Sequence, residues 1–185
     1  MDTDNIMVKE ILDGKTESFN YLINKYYTKI TAFIIKMNVT REDAQDIAQE
    51  VFVKVYNNLY KYNNNWKFST WLFKVAVNTY KDSKKKKRIK LENINDQSLK
   101  AQTFFPDEHI DNLYFKDVIH KMFQSLEDDV RLMIILKYHY EFTFGEIGEI
   151  FKKSPEAIKM KVLRTRKKLT QLYEKNIKDG EYNEL

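Results

Sequence analysis

The chain has 185 residues, of which 43% are hydrophobic and 32% charged, and its formal net charge is +5. That balance fits one medium folded domain or two small ones and excludes a disordered polyelectrolyte. The absence of Cys excludes disulfide scaffolds, thiolate metal sites and cysteine nucleophiles, and no apolar run approaches the ~20 residues that a membrane helix needs.

Asp2, Asp4, Lys9, Glu10 and Asp13 crowd the N-terminus, which therefore does not read as a signal peptide, and a cytoplasmic protein is expected. With only 4 Gly and 2 Pro, long helices are the economical reading. Thr16 is expected to cap a first helix, which lines up Phe19, Leu22, Ile23, Tyr26, Ile30, Phe33, Ile34 and Met37 and ends at Asn38. Thr40 opens the next, with Asp43 at the reciprocal capping position and Ala44, Ile47, Ala48, Val51, Phe52 and Val55 on its apolar stripe. A polar, aromatic stretch, Tyr60 to Trp66, leads to a third helix from Ser69 or Thr70 to about Lys85, burying Trp71, Leu72, Val75 and Ala76. These three helices form one N-terminal bundle over residues 1–88.

Residues 89–112 lose the periodicity and read as a linker, although Phe104 and Phe105 are apolar for a free tether. A second helical domain is expected over 113–176, followed by a polar tail over 177–185. Its first helix carries Leu113, Val118, Met122 and Phe123, and its second starts near Glu127 with Val130, Met133 and Ile134. Thr143 then caps a short helix with Glu146 as the reciprocal partner, Lys152, Lys153 and Ser154 turn the chain, and Pro155 occupies the first position of a long basic helix reaching about Tyr173. Short helix, tight turn and basic helix make a helix-turn-helix pattern. The whole is an all-α chain of two small domains.

On the last helix Ile158, Val162, Thr165 and Leu169 share one sector and should face the core, while Glu156, Lys159, Met160, Leu163, Arg164 and Lys167 occupy the other side. Exposed apolar residues among cations suit a major groove, where thymine methyl groups accept apolar contact and Lys and Arg reach bases and phosphates. An amphipathic surface helix with solvated charges is the alternative.

Three segments resemble a known family, the RNA polymerase sigma factors of the extracytoplasmic-function (ECF) group. Arg41 to Tyr56 (REDAQDIAQEVFVKVY) is similar to their core-polymerase-binding helix, and Phe68 to Asp82 (FSTWLFKVAVNTYKD) to their promoter −10 helix. Ser154-Pro155-Glu156-Ala157-Ile158-Lys159 with Arg164-Thr165-Arg166 is similar to their −35 reader. The three matches occur in family order and span nearly all of the chain outside the linker and tail.

The resemblance implies a promoter-specificity subunit that binds core RNA polymerase, recognises both promoter elements and helps to open the DNA. It places Asp43, Asp46, Gln49 and Glu50 on the coiled coil of the polymerase largest subunit, with a further contact to the polymerase flap region. On the residues alone these carboxylates read as a solvated acidic face. Asp46 and Glu50 at i, i+4 repel each other, which a basic partner would relieve. For −10 DNA it implies Tyr60, Tyr62, Asn63, Asn64, Asn78, Tyr80, Lys81, Lys84 and Lys85, since amides pair with base edges, rings stack on unpaired bases and lysines meet phosphates. Trp66 fits either a base pocket or the bundle core, and the run from Lys81 to Lys90 also fits a solvated basic tail. The −35 set is Glu156, Lys159, Met160, Leu163, Arg164 and Lys167. An anti-sigma factor is the further partner that the resemblance implies.

Three departures from the family pattern stand out, the first being Met160 and Leu163, where many relatives have polar residues. Leu126-Glu127 replaces the usual Leu-Pro before the helix that follows, blurring its start, and Gly148 stands where a small Ala is usual. Gly keeps the helices of the motif close but costs up to ~1 kcal/mol in helix propensity. Among other classes, an enzyme lacks support. His109, His120 and His139 have no metal-ligand spacing, there is no Gly-rich phosphate loop, and neither cofactor, metal nor small-molecule substrate is expected. A stand-alone helix-turn-helix regulator would explain the C-terminal motif but not the N-terminal bundle, and a protein-interaction module would leave the basic segments incidental.

Overall fold

A computed structural model describes residues 3–92 and 121–181. All regular secondary structure among these is helical, and the chain divides into two compact units. In the N-terminal unit the helices are α1 (Thr3–Leu12), α2 (Ser18–Ile35), α3 (Arg41–Asn58) and α4 (Phe68–Glu92), with one 3₁₀ turn at Leu59–Lys61. In the C-terminal unit they are α5 (Asp128–Tyr138), α6 (Phe144–Phe151) and α7 (Pro155–Glu181), preceded by a helical stretch at 121–124. Most of the expected linker, Phe104 and Phe105, and the helix start at Leu113 and Val118 lie outside the described residues, as do His109 and His120.

The apolar stripe of α2 organises the first unit. Leu22, Ile30, Phe33 and Ile34 are fully buried, and α2 packs on α1, α3 and α4. From α3 the whole expected stripe, Ala44, Ile47, Ala48, Val51, Phe52 and Val55, is buried. Phe33 meets Phe73 edge-on at 5.1 Å, and Tyr26 packs on Phe68 at 5.8 Å. Each large side chain so buried stabilises the unit by roughly 2–3 kcal/mol.

One element was not expected, and two expectations need correction here. Helix α1 was unforeseen, because its inward positions are Asp4, Val8 and Ile11 and the leading charge hides the stripe. Asp4 is 3% exposed, and accepts hydrogen bonds from Tyr26 Oη and Lys25 Nζ on α2. Thr16 does not cap α2, which starts at Ser18 after Glu17 with no side-chain cap; the Ser18 hydroxyl donates to Glu10 across the turn at 2.6 Å. Helix α4 begins at Phe68 and runs on to Glu92, and its core side is turned from the expected one. Phe68, Leu72, Phe73, Ala76, Val77 and Tyr80 are buried, whereas Trp71 and Val75 are only half-buried. The cap at Thr40 is as expected, its hydroxyl accepting from the Asp43 N–H at 3.1 Å, and Asn38 ends the preceding turn with φ of 65°.

In the second unit α5 is buried on all sides from Val130 to Leu136, including Arg131. The Arg131 guanidinium donates from Nε to the Phe123 carbonyl at 3.0 Å and from Nη2 to those of Gln124 at 3.0 Å and Leu126 at 3.2 Å. These charge-assisted bonds satisfy chain-end carbonyls of the preceding segment and fix the Leu126–Glu127 corner that lacks a proline. Burial also pushes the Tyr140 phenol above its ordinary pKa.

The capping box at Thr143 and Glu146 forms in full, and Ser154 accepts from the Ala157 N–H at 3.2 Å ahead of Pro155. Between α6 and α7, Lys152 takes the left-handed conformation (φ 54°, ψ 47°) and Lys153 N–H donates to Gly148 O at 2.9 Å. A Cβ on Gly148 would stand 2.6 Å from the Lys153 carbonyl oxygen, closer than packed atoms come. Glycine here permits the turn, and even alanine would force it open.

Gly148→Ala should therefore lower stability by about 1–2 kcal/mol in chemical denaturation despite alanine's better helix propensity. Arg131→Met should cost about 2–4 kcal/mol by the same measurement, because three carbonyls lose the charged donor of a buried guanidinium. Arg131→Lys should recover only part of that loss.

Candidate nucleic-acid and protein interfaces

Three surfaces remain once the cores are accounted for. On α7, Ile158 and Val162 are fully buried and Thr165 is 9% exposed, which turns the opposite side outward. Glu156, Lys159, Met160, Leu163, Arg164 and Lys167 are all exposed, so the structure brings the expected −35 residues onto one face. Met160 at 48% and Leu163 at 41% exposure are apolar groups held in water beside cations. Two other cations of the helix are used inside the unit: Lys161 Nζ lies 3.7 Å from Glu127 Oε2, and the Arg166 guanidinium sits 5.9 Å from the centre of the Tyr138 ring.

The second surface combines the segment before α4 with the outer side of that helix. Tyr60 is 68% exposed, and Asn63, Asn64 and Asn65 are exposed in a turn where the Asn65 N–H donates to Asn63 Oδ1 at 3.3 Å. Tyr62 is less available than expected. Its ring packs at 5.6 Å against both Phe68 and Trp71, and its hydroxyl bonds Asn5 Oδ1 and the Trp66 carbonyl. Trp66, 39% exposed, stands at the rim of this cluster. Asn78, Lys84 and Lys85 are exposed and Lys81 is half-buried. Tyr80 is the clear departure: at 3% exposure it belongs to the core with Phe73, Ala76 and Val77, and its ring cannot stack on a base from there. It lies four positions after Ala76, on the apolar stripe rather than opposite it.

The third surface is the outer side of α3. Asp46 and Gln49 are exposed, Asp43 and Glu50 half-buried. Two of these carboxylates already have partners in the same chain. Asp43 Oδ2 lies 3.0 Å from Lys87 Nζ, and Glu50 Oε1 lies 2.9 Å from Lys54 Nζ and 3.9 Å from Lys86 Nζ. Lys54 reaches Asp82 on α4 as well, at 3.4 Å. Burial alone would lower the Lys54 pKa, but its bonds and charge contacts with Glu50 and then Asp82 outweigh that and raise it. The expected repulsion between Asp46 and Glu50 is thus eased within the chain.

Sequence reasoning missed two residues of this surface. Val53, 59% exposed, and Tyr56, 45% exposed, continue the strip from Asp46 and Gln49 at seven-residue spacing towards Tyr60. Their apolar character on a polar side was the available signal. Among the described residues no group of three or more His, Cys, Asp or Glu side chains could hold a metal ion, and no helix is long and apolar enough to cross a membrane.

Comparison with known proteins agrees with this geometry. A family model described as Sigma-70 region 2 matches residues 22–89, which include α3 and nearly all of α4. The ECF RNA polymerase sigma factor SigW of Bacillus subtilis is 30% identical over 172 residues, covering 88% of this chain and 92% of its own. The ECF RNA polymerase sigma-E factor of Escherichia coli K12 is 25% identical over 174 residues, covering 89% of this chain and 91% of its own. Among solved structures, the sigma factor RpoE of Bartonella quintana, in complex with the anti-sigma factor NepR, superposes with a TM-score of 0.70 at 20% identity, over 85% of this chain and 98% of its own. CnrH in complex with the cytosolic domain of CnrY gives 0.68 at 18% identity, over 94% of this chain and 98% of its own. With helical units of matching fold and a relative of this identity along nearly its whole length, the chain belongs to the ECF group of RNA polymerase sigma factors.

Proposed function

We propose that this sigma factor docks on core RNA polymerase through the exposed strip of α3, reads the −10 element with the segment 60–67 and α4, and reads the −35 element with α7. The observation that carries the reading is the α3 strip itself. Asp46, Gln49, Val53 and Tyr56 stay in water while every residue of the opposite stripe is buried. Exposed apolar side chains beside carboxylates suit a basic, amphipathic helical partner such as the coiled coil of the polymerase largest subunit. A stand-alone DNA-binding regulator has no use for that surface.

In this mechanism residues 1–88 hold polymerase and the melted −10 strand, and residues 113–176 hold −35 duplex beside the polymerase flap region. Lys84 and Lys85 meet phosphates, while Asn63, Asn64 and Asn78 offer amides to base edges. Tyr60 is the exposed ring best able to stack on an unpaired base, while the Tyr62 ring stays packed on Phe68 and Trp71. On α7, Lys159, Arg164 and Lys167 reach bases and phosphates, Met160 and Leu163 contact thymine methyl groups, and Glu156 can accept from a cytosine amino group. The chain contributes binding and strand separation and no bond-making chemistry, works in the cytoplasm with the polymerase, and is held inactive by an anti-sigma factor that covers these surfaces.

Run-off transcription with purified core polymerase tests this. Promoter-dependent transcripts should appear only when the chain is added; tight duplex binding without any transcript would favour the stand-alone regulator. Lys159→Ala with Arg164→Ala should cut −35-dependent initiation about tenfold or more while polymerase association is kept. Asp46→Lys with Val53→Asp should do the reverse, weakening association at least tenfold with helical content unchanged by circular dichroism.

A further inference from the structure

The acidic side of α3 and the basic end of α4 are neighbours, and their charges are joined in a ladder. Asp82, Lys54, Glu50 and Lys86 alternate in sign along the seam, and Asp43 with Lys87 adds a further rung at 3.0 Å. These rungs are solvent-exposed: the Lys87 and Asp43 side chains are 45% and 41% exposed, and Lys86 is 74% exposed against 37% for Glu50. Exposed pairs of this kind add little to stability and exchange partners readily. Such a ladder is suited to switching rather than to bracing.

From this geometry we infer that Asp43 and Glu50 mask Lys86 and Lys87 in the free chain, and that polymerase docking on α3 releases the two lysines to DNA phosphates. The inference rests on the reading of α3 as the polymerase side and α4 as the DNA side. A basic partner competes for the same two carboxylates, so each pair it breaks leaves an ammonium group seeking an anion. DNA entering along α4 supplies one. By linkage the coupling runs both ways: phosphates that draw off Lys86 and Lys87 leave Asp43 and Glu50 more open to polymerase. Free sigma factor would then hold DNA weakly.

Binding of the full-length chain to an oligothymidylate probe at low salt tests the masking without polymerase. Asp43→Asn with Glu50→Gln should bind about three- to tenfold tighter than Asp13→Asn with Glu17→Gln, a control of equal charge change at the exposed turn between α1 and α2. The gain should vanish when Lys86→Gln and Lys87→Gln are added, and shrink as salt is raised. An equal gain in the control pair, no gain, or a gain that survives loss of the lysines would overturn the masking. Lysine acetylation read by mass spectrometry tests the release: Lys86 and Lys87 should react faster in the complex with core polymerase than in the free chain, and unchanged or slower reaction would overturn it. Failure of run-off transcription would instead overturn the underlying functional reading, so the two failures are distinct.

Discussion

Burial of the α2 stripe against α1, α3 and α4 is the contact on which the N-terminal unit depends. Once Leu22, Ile30, Phe33 and Ile34 are enclosed, α3 and α4 must each turn one side inward, and helical geometry then dictates which residues face out. Ala44, Ile47, Ala48 and Val51 inside put Asp46, Gln49 and Val53 outside. Phe73, Ala76, Val77 and Tyr80 inside put Asn78 and Lys85 outside. The candidate surfaces are the complements of the core stripes.

The C-terminal unit applies the same rule with a stricter local constraint. Its two helix-turn-helix elements meet where Lys153 crosses Gly148, a spacing that leaves no room for a side chain. Lys152 takes up the left-handed residue that the turn requires, and Pro155 starts the next helix without wasting an N–H. Arg131 fastens the entry to α5 by three carbonyl bonds, doing by charge what a proline would do by stiffness. The cost is a buried guanidinium, tolerable because each of its bonds is charge-assisted.

Electrostatics pairs the charges of α3 and α4 in a way that neither helix predicts alone. The sequence separates Asp43 from Lys87 by 44 residues, and antiparallel packing of α3 on α4 returns them to 3.0 Å. Acidic and basic segments that read as two independent interfaces are therefore two sides of one seam.

Local spacing and short-range capping made the α3 stripe, the capping box at Thr143 and Glu146, Pro155 at the head of α7 and the outward side of that helix legible in the sequence, since each depends on residues close together in the chain. Helix α1 was not legible, because its charged Asp4 is buried where Tyr26 and Lys25 of another helix donate to it. Tyr80 was read outward because its chemistry suits a base, and only packing on α2 and α3 decided that α4 turns Phe73 and Tyr80 inward and leaves Trp71 half-buried. The 2.6 Å approach at Gly148 and the charge ladder likewise belong to tertiary structure. Local spacing determines which side of a helix is apolar. Which neighbours meet it, and which charges meet each other, depends on contacts between residues far apart in the chain.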